Sequence, residues 1–261
     1  MIHINTITHW YGRLGNNIQQ ICNAILFSKL NDEGFFSPEH DLIEQVVFNC
    51  SKSDKVRANR FFHYDTKNKD FDIDISYIFN HIREVAVEYI KPNLKIKSHN
   101  NFDDDTLVIH IRSGDIFEHE HNPPHDYIPN PLYYYLSLIE EYNKIIVVTE
   151  PDSYNPIVNE LKKIKKVRIQ SKSVEEDFST LMSAKNIASS GTGTFSVAAA
   201  LCSTSVKNFY CSNLYLTEHL NPEMLMGTDV KVHMMNLDNY IESKTWKNDD
   251  KQRKFILEYN L

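Results

Sequence analysis

Three short clusters combine glycine with polar or charged residues, and each follows an apolar run that predicts a β-strand. They are residues 12–17 (GRLGNN), 110–115 (HIRSGD) and 191–196 (GTGTFS). The chain has only 7 glycines, whereas average usage of about 7% would give roughly 18. Because glycine permits a close approach of the backbone to a ligand, we expect a functional site where these glycines are concentrated.

The second cluster begins inside a run, 106–112 (TLVIHIR), that predicts a strand buried on both faces. On such a strand His110, Arg112 and Gly114 share one side, and ligands of open α/β sheets bind at the carboxyl ends of strands. A guanidinium beside an apolar strand needs an anionic partner. The sequence favours an anionic ligand for Arg112, and an ion pair with Asp115 is the alternative.

The first and third clusters each lie between a predicted strand and a predicted helix. Backbone N–H groups at a helix N-terminus attract anions, so both clusters are candidate phosphate sites. GRLGNN does not match the GxGxxG dinucleotide fingerprint, and Arg13 could equally be a surface residue of a tight turn. In the third cluster Thr194 or Ser190 could serve as a helix N-cap, and this function is compatible with phosphate binding.

The elements that position these clusters alternate between strand and helix, which predicts a parallel sheet with helices on both faces. The predicted strands are 1–10, 42–48, 61–64, 106–112, 144–149, 167–170, 186–189 and 206–210. The predicted helices are 18–30 with Gly34 as its C-cap, 77–89, 132–142, 154–165, 174–184, 194–202 and 245–259. The polar segment 91–105 predicts a boundary between domains 1–100 and 101–215, followed by a tail, 216–261.

Composition limits the partners. A net charge of −7 and a pI near 5.9 argue against a nucleic-acid partner. No run of about 18 apolar residues predicts a transmembrane segment, and the N-terminus lacks the pattern of a signal peptide. The cysteines Cys22, Cys50, Cys202 and Cys211 form no CxxC pair, so we expect a reducing, cytoplasmic compartment. The sequence does not determine an oligomeric state.

In order and spacing, the three clusters resemble motifs of the α1,2-, α1,6- and protein O-fucosyltransferase superfamily. GRLGNN resembles its N-terminal G-R/G-x-G-N-Q motif, and HIRSGD resembles its H-x-R-x-G-D donor motif. SSGTGTFSVAAAL resembles a segment that begins a helix in the bacterial α1,2 branch. The resemblance spans residues 1–210.

The resemblance implies an α/β, GT-B-like fold of two Rossmann-like domains with parallel sheets, the N-terminal one reduced and on the acceptor side. It implies an inverting transfer from GDP-fucose to a hydroxyl of a saccharide or glycan acceptor, without a metal or other cofactor. Arg112 would hold the β-phosphate, and Arg13 and Asn16 would lie near the transferred sugar. The other expected donor-binding residues are Gly12, Gly15, His110, Gly114, Asp115, Glu150, Asp177, Gly193, Thr194, Phe195 and Ser196.

Three departures from the superfamily pattern leave the donor open. Asn17 replaces the usual glutamine, Glu150-Pro151 replaces an acidic pair, and Val197-Ala198 replaces two tryptophans. The alternatives are therefore a related transferase with another donor, such as UDP-xylose, and a non-catalytic protein that binds nucleotide sugars.

Transfer to a hydroxyl calls for a base that accepts its proton, although some relatives lack one. The candidates in the N-terminal half are His9, Asp41, His63, Asp65, Asp72 and Asp74.

Two metal-dependent alternatives are weaker. A transferase with an Asp-x-Asp metal site could use 72–74 or 103–105, but such acidic pairs are common in polar segments. A metallohydrolase could use His119, His121 and His125, but this segment is not HExxH and its prolines oppose a helix.

Overall fold

The computed structural model describes residues 3–51, 58–60 (backbone only), 63, 73–96, 102–118 and 125–260. Its first sheet has four strands in the order β3-β2-β1-β4, in which β1 is parallel to β2 and β4, and β3 is antiparallel to β2. The elements of this first half are β1 (Ile4–Ile7), α1 (Leu14–Leu30), β2 (Gly34–Phe36), β3 (Val47–Phe48), β4 (Ala58–Arg60) and α2 (Ile75–Val85).

The second sheet has six parallel strands flanked by helices, and this confirms the predicted α/β class. Its elements are β5 (Thr106–Ile111), α3 (Leu132–Ile139), β6 (Lys144–Thr149), α4 (Pro156–Leu161), β7 (Val167–Gln170), α5 (Val174–Ser183), β8 (Asn186–Ala188), α6 (Phe195–Cys202), β9 (Asn208–Ser212), β10 (Lys231–Met235) and α7 (Asp250–Glu258).

The strand order of the second sheet, β10-β9-β8-β5-β6-β7, is that of a doubly wound, Rossmann-like sheet. The chain runs outward from β5 through β6 to β7, and it then returns to β8 and runs outward in the other direction. At such a switch point the two following connections leave on opposite faces, which opens a crevice at the carboxyl ends of the strands. The crevice here lies between β5 and β8.

Burial of β5 on both faces follows from its alternating side chains. Leu107, Ile109 and Ile111 pack into the core beneath α3, α4 and α7. Val108 packs on the other face, into the core that contains α5 and α6. His110 lies on the same face of β5 as Val108. Its ring lies 5.2 Å from that of Phe195 at the start of α6.

One apolar core connects the two sheets. Residues of α1 and α2, such as Ile18 and Ile78, belong to the same buried cluster as Phe178 of α5 and Val197 of α6. As a result α1 packs directly against α6, and the beginnings of these two helices meet.

Two details of the first half differ from expectation. Helix α1 begins at Leu14 rather than residue 18. Its polar first turn is held by a local bond from Asn17 Nδ2 to the carbonyl of Tyr11 at 2.9 Å and by a tertiary bond between Asn16 and Thr194 at 2.8 Å. Gly34 does not cap this helix: it begins β2, and a Cβ there would lie 3.0 Å from Cβ of Cys50. The left-handed residue after the helix is Asp32, with φ +53°.

The tail contributes a strand that the sequence pattern does not predict. β10 pairs with β9 and completes the sheet, while α7 packs against α3 and α4. The predicted strand 42–48 is reduced to β3 and an isolated bridge between Ile43 and Leu94, and 61–64 lies almost wholly outside the described residues. Within the described part of the chain, every helix is too short or too polar to cross a membrane.

Candidate functional site

A cavity of about 590 Å³ lies at the carboxyl ends of β5, β6 and β8. Its wall combines residues 12–16 and 40–42 of the first half, the loops at the edge of the second sheet, and four residues at the start of the tail: Tyr215, Leu216, His219 and Leu220. The predicted site residues that line it are Gly12, Arg13, Gly15, Asn16, His110, Arg112, Glu150, Asp177, Gly193, Thr194 and Phe195.

Two helices begin at this wall. α1 follows Arg13 and α6 follows Thr194, and neither helix has a side-chain cap or an acidic residue in its first turn among the residues that the structure describes. The hydroxyl of Thr194 instead donates to Oδ1 of Asn16 at 2.8 Å. A Cβ on Gly15 would lie 2.5 Å from that hydroxyl oxygen, so glycine allows the two helix ends to meet. Their free N–H groups and dipoles favour an anion.

Arg112 lines the cavity, and contacts with Asp115 and Tyr127 fix the orientation of its guanidinium. Nη2 and Nε donate to the two oxygens of Asp115 at 2.8 and 3.3 Å, and the guanidinium carbon lies 4.0 Å from the centre of the Tyr127 ring. The ion pair that the sequence leaves as an alternative is therefore present. Burial alone would lower the pKa of Arg112, but the contacts with Asp115 raise it above its usual value.

Asp115 also connects the two halves of the cavity. Arg13, from the first half, lies 3.4 Å from Asp115 and 3.4 Å from Glu150. Burial would raise the pKa of Asp115, but Arg112 and Arg13 lower it below the usual value. Asp115 and Gly114 do not line the cavity, and the half-buried carboxylate of Asp115 contacts both arginines.

The backbone N–H groups that follow β5 are occupied by carboxylates of the protein. Glu150 accepts from the amide of Ser113 at 2.6 Å, and Asp152 accepts from the amide of Gly114 at 2.8 Å and from the hydroxyl of Ser113 at 2.7 Å. These amides therefore fix the loop that carries Arg112. Sequence reasoning missed Asp152, although its position two residues after Glu150, beyond the end of β6, was an available signal.

Two buried polar atoms at the cavity wall have no hydrogen-bond partner among the described residues: Nδ1 of His110 and Oγ1 of Thr149. Burial, together with the charge of Arg112, lowers the pKa of His110 to about 3, so its imidazole is neutral. Buried polar groups in folded proteins are nearly always paired, so these two atoms are exceptions, but both are too deeply buried to contact a ligand in the cavity.

The remaining predicted residues have different environments. Asp177 accepts from Gln170 Nε2 at 2.8 Å and from the amide of Lys172 at 3.1 Å, and burial raises its pKa. Ser196 lies in the first turn of α6 and is almost completely buried behind the wall. Thr194 and Phe195 lie at the wall, whereas the hydroxyl of Ser196 does not reach it.

Several wall residues carry no sequence signal. Tyr127, Lys172 and Val174 flank the second sheet, and Tyr215, Leu216, His219 and Leu220 come from the tail. The tail segment is tied to α1, since the side chain of Gln19 accepts from the amide of Leu220 at 2.9 Å and donates to the carbonyl of Glu218 at 3.4 Å. Only the three-dimensional fold brings these residues to the cavity.

Of the candidate bases that the structure describes, Asp41 lines the cavity. The rings of His9 and His63 lie 4.1 and 5.2 Å from that of Tyr11. Asp74 caps α2 by accepting from the amide of Ser76 at 2.9 Å. The other two candidates, Asp65 and Asp72, lie outside the described residues.

The residues of the metal-dependent alternatives are dispersed where they are described. Asp103 and Asp104 lie beside the beginning of β5, at the sheet edge opposite the cavity, and pair with Lys144 and Lys185. Nδ1 of His125 lies 3.0 Å from the carbonyl oxygen of Trp246, and His119 and His121 are outside the described residues. In the described ranges, no three His, Cys, Asp or Glu side chains gather as metal ligands would.

Comparison with family models, with curated proteins and with solved structures finds no match to this chain.

Proposed function

We propose that this protein is a glycosyltransferase that binds a nucleotide sugar in the cavity and transfers the sugar, with inversion, to a hydroxyl of a saccharide acceptor. The observation that carries the proposal is the convergence of two uncapped helix N-termini and Arg112 on one cavity at the switch point of a Rossmann-like sheet. All three features favour an anion of the size and charge of a diphosphate.

The wall supplies what the leaving group requires. As the bond between the anomeric carbon and the phosphate oxygen breaks, negative charge develops on the nucleoside diphosphate. Fixed positive charge and oriented N–H groups stabilise such charge without reorganisation. The guanidinium of Arg112 is fixed by Asp115 and by the ring of Tyr127, so it is oriented before the donor binds.

The resemblance to fucosyltransferases favours GDP-fucose as the donor, and UDP-xylose is the alternative. The apolar side chains Val174, Leu216 and Leu220 offer a surface for a nucleoside. The carboxylate of Asp177, among them, can accept hydrogen bonds from a base or a ribose. In this proposal the first half forms the acceptor side of a GT-B-like arrangement, and the second sheet forms the donor side.

The test is a screen of GDP-fucose, UDP-xylose and other nucleotide sugars by calorimetric titration, followed by an assay for release of the nucleoside diphosphate. We expect Arg112→Ala to weaken binding by about 2 kcal/mol or more, because a charge-assisted bidentate contact is lost. Arg112→Lys should recover only part of the affinity, since an ammonium cannot reproduce the guanidinium fork.

The matched control is Arg168→Ala, which removes an exposed arginine of β7 in the same sheet. It should bind the donor as the wild type does. Undiminished affinity and turnover in Arg112→Ala would contradict the assignment of the diphosphate site. Binding without any diphosphate release, in the presence of glycan acceptors, would instead support the non-catalytic alternative.

A further inference from the structure

The carboxylates at the cavity wall differ in whether their oxygens are engaged. Glu150 accepts from the amide of Ser113 and contacts Arg13, and Asp177 accepts from Gln170 and Lys172. Glu150 follows β6 and Asp177 lies in α5, so both belong to the half of the chain that forms the second sheet. Asp41 belongs to the connection between β2 and β3 and is exposed at the cavity wall. Its charge acts on the adjacent His40, and among the described residues its carboxylate has no hydrogen bond or ion pair.

The backbone on both sides of Asp41 is fixed. His40 Nδ1 accepts from the amide of Leu42 at 3.0 Å, so Nε2 carries the proton and donates to Oδ1 of Asn17 at 3.2 Å. Lys95 donates from its amide to the carbonyl of Leu42 at 3.0 Å and from Nζ to the carbonyl of His40 at 2.9 Å. The chain thus holds Asp41 at the wall while leaving its side chain unengaged.

We infer that Asp41 is the general base that takes the proton of the acceptor hydroxyl. This inference rests on the proposed function. As the hydroxyl proton passes to the Asp41 carboxylate, the acceptor oxygen forms a bond to the anomeric carbon. The bond from that carbon to the diphosphate oxygen breaks, and its electron pair leaves on the nucleoside diphosphate. Inversion requires attack from the side opposite the leaving group; Asp41 reaches the cavity from the first half of the chain and Arg112 from the second.

The histidines at the wall are less suited to this function. Both ring nitrogens of His40 are engaged. His110 is buried, and its low pKa makes it a weak proton acceptor. His219, on the tail segment, is the remaining histidine among the described wall residues, and the experiment compares it directly.

The experiment uses water as the acceptor, so that the natural acceptor need not be known. Release of nucleoside diphosphate from GDP-fucose, with UDP-xylose in parallel, is measured for the wild type, Asp41→Asn and His219→Gln. The matched control is Glu39→Gln, which removes an exposed carboxylate two residues away. We expect Asp41→Asn to reduce release about 10²–10⁴-fold, the usual contribution of a general base, with a donor Kd within about twofold of the wild type.

Azide provides a second readout that a merely structural role would not change. It attacks carbon without losing a proton, so it needs no base. Added azide should restore diphosphate release in Asp41→Asn and in Asp41→Ala, with formation of the glycosyl azide. The control Glu39→Gln should behave as the wild type in both assays.

The outcomes separate this inference from the proposed function. Wild-type release rates in Asp41→Asn, loss in His219→Gln instead, or a lost activity that azide does not restore would each overturn the assignment of Asp41, with the donor site intact. If the wild-type protein neither binds nor cleaves any nucleotide sugar, the proposed function fails, and the inference fails with it.

Discussion

The sequence offers two partners for Arg112, an anionic ligand and Asp115, and the structure is compatible with both. Its contacts with Asp115 and Tyr127 satisfy the need of a buried guanidinium for an anionic partner. It nevertheless lines the cavity, whereas Asp115 does not. An ion pair that orients a cation leaves that cation able to face a ligand, so the pair and the anion site are compatible.

His110 leads to a prediction about pH and stability. The imidazole titrates near pH 6.5 in an unfolded chain, but burial and Arg112 lower its pKa to about 3 in the folded protein. Between these values only the unfolded chain binds the proton, so stability falls as the pH falls. From pH 7.5 to pH 5 this group alone should remove about 2 kcal/mol from the free energy of unfolding.

Urea unfolding of the wild type and His110→Gln at both pH values measures this effect. The wild type should lose about 2 kcal/mol more than the variant over this interval, while carboxylates contribute equally to both proteins. Equal losses would mean that the buried imidazole titrates as it does in the unfolded chain.

At the scale of elements, the site depends on two helices that begin side by side. The first turn of α1 contains glycine and two asparagines, which are poor helix formers. It is helical because α6 and the turn before it supply the missing contacts, including the bond between Thr194 and Asn16. The opposite end of α6 is also held from the first half, by α2.

Arg83 of α2 provides that second link and a prediction. It donates to the carbonyls of Ala200 and Leu201 at 2.7 and 3.4 Å, at the end of α6, and to Asp229 at 2.7 Å. Arg83→Met would remove these charge-assisted bonds, although the carbonyl of Ala200 would keep its bond from the amide of Ser203 at 3.2 Å. We expect a loss of about 2–3 kcal/mol of unfolding free energy in urea. The control Asp229→Asn removes the exposed partner only and should lose less than about 1 kcal/mol. A larger loss in Asp229→Asn than in Arg83→Met would contradict this explanation.

At the scale of the molecule, the two sheets share an apolar core, so neither half can expose its face of that core without disturbing the other. We therefore predict one cooperative unfolding transition. The two tryptophans report on different parts: Trp10 packs against His40 in the first half, and Trp246 is buried against Phe117 near the second sheet.

The variant Trp10→Phe leaves only the Trp246 signal, and Trp246→Phe leaves only the Trp10 signal. Their fluorescence transitions in urea should have the same midpoint once each variant's own stability is taken into account. A saturating nucleotide sugar at about 100 times its Kd should move both by about 2.7 kcal/mol. Different midpoints for the two single-tryptophan variants, once each variant's own stability is taken into account, would show that the halves unfold independently.

The sequence by itself determined the α/β class, most strands and helices of the second sheet, and the clusters around the cavity. These follow from local rules: apolar runs of strand length, helical periodicity, and glycine where backbones approach closely. β6 and β7 appear at the predicted bounds, because β6 is a nearly continuous apolar run and β7 alternates apolar and polar residues as a strand at the sheet edge does.

Only the tertiary structure decided the rest. The early start of α1, the sixth strand β10, the tail residues at the wall and the position of Asp41 depend on contacts between distant parts of the chain. Such contacts leave no periodicity in the sequence, because the partner of each residue is defined by the fold and not by its neighbours. The sequence offers no reason to choose among the six candidate bases. The fold distinguishes Asp41 from the other described candidates, because it brings Asp41 to the cavity wall.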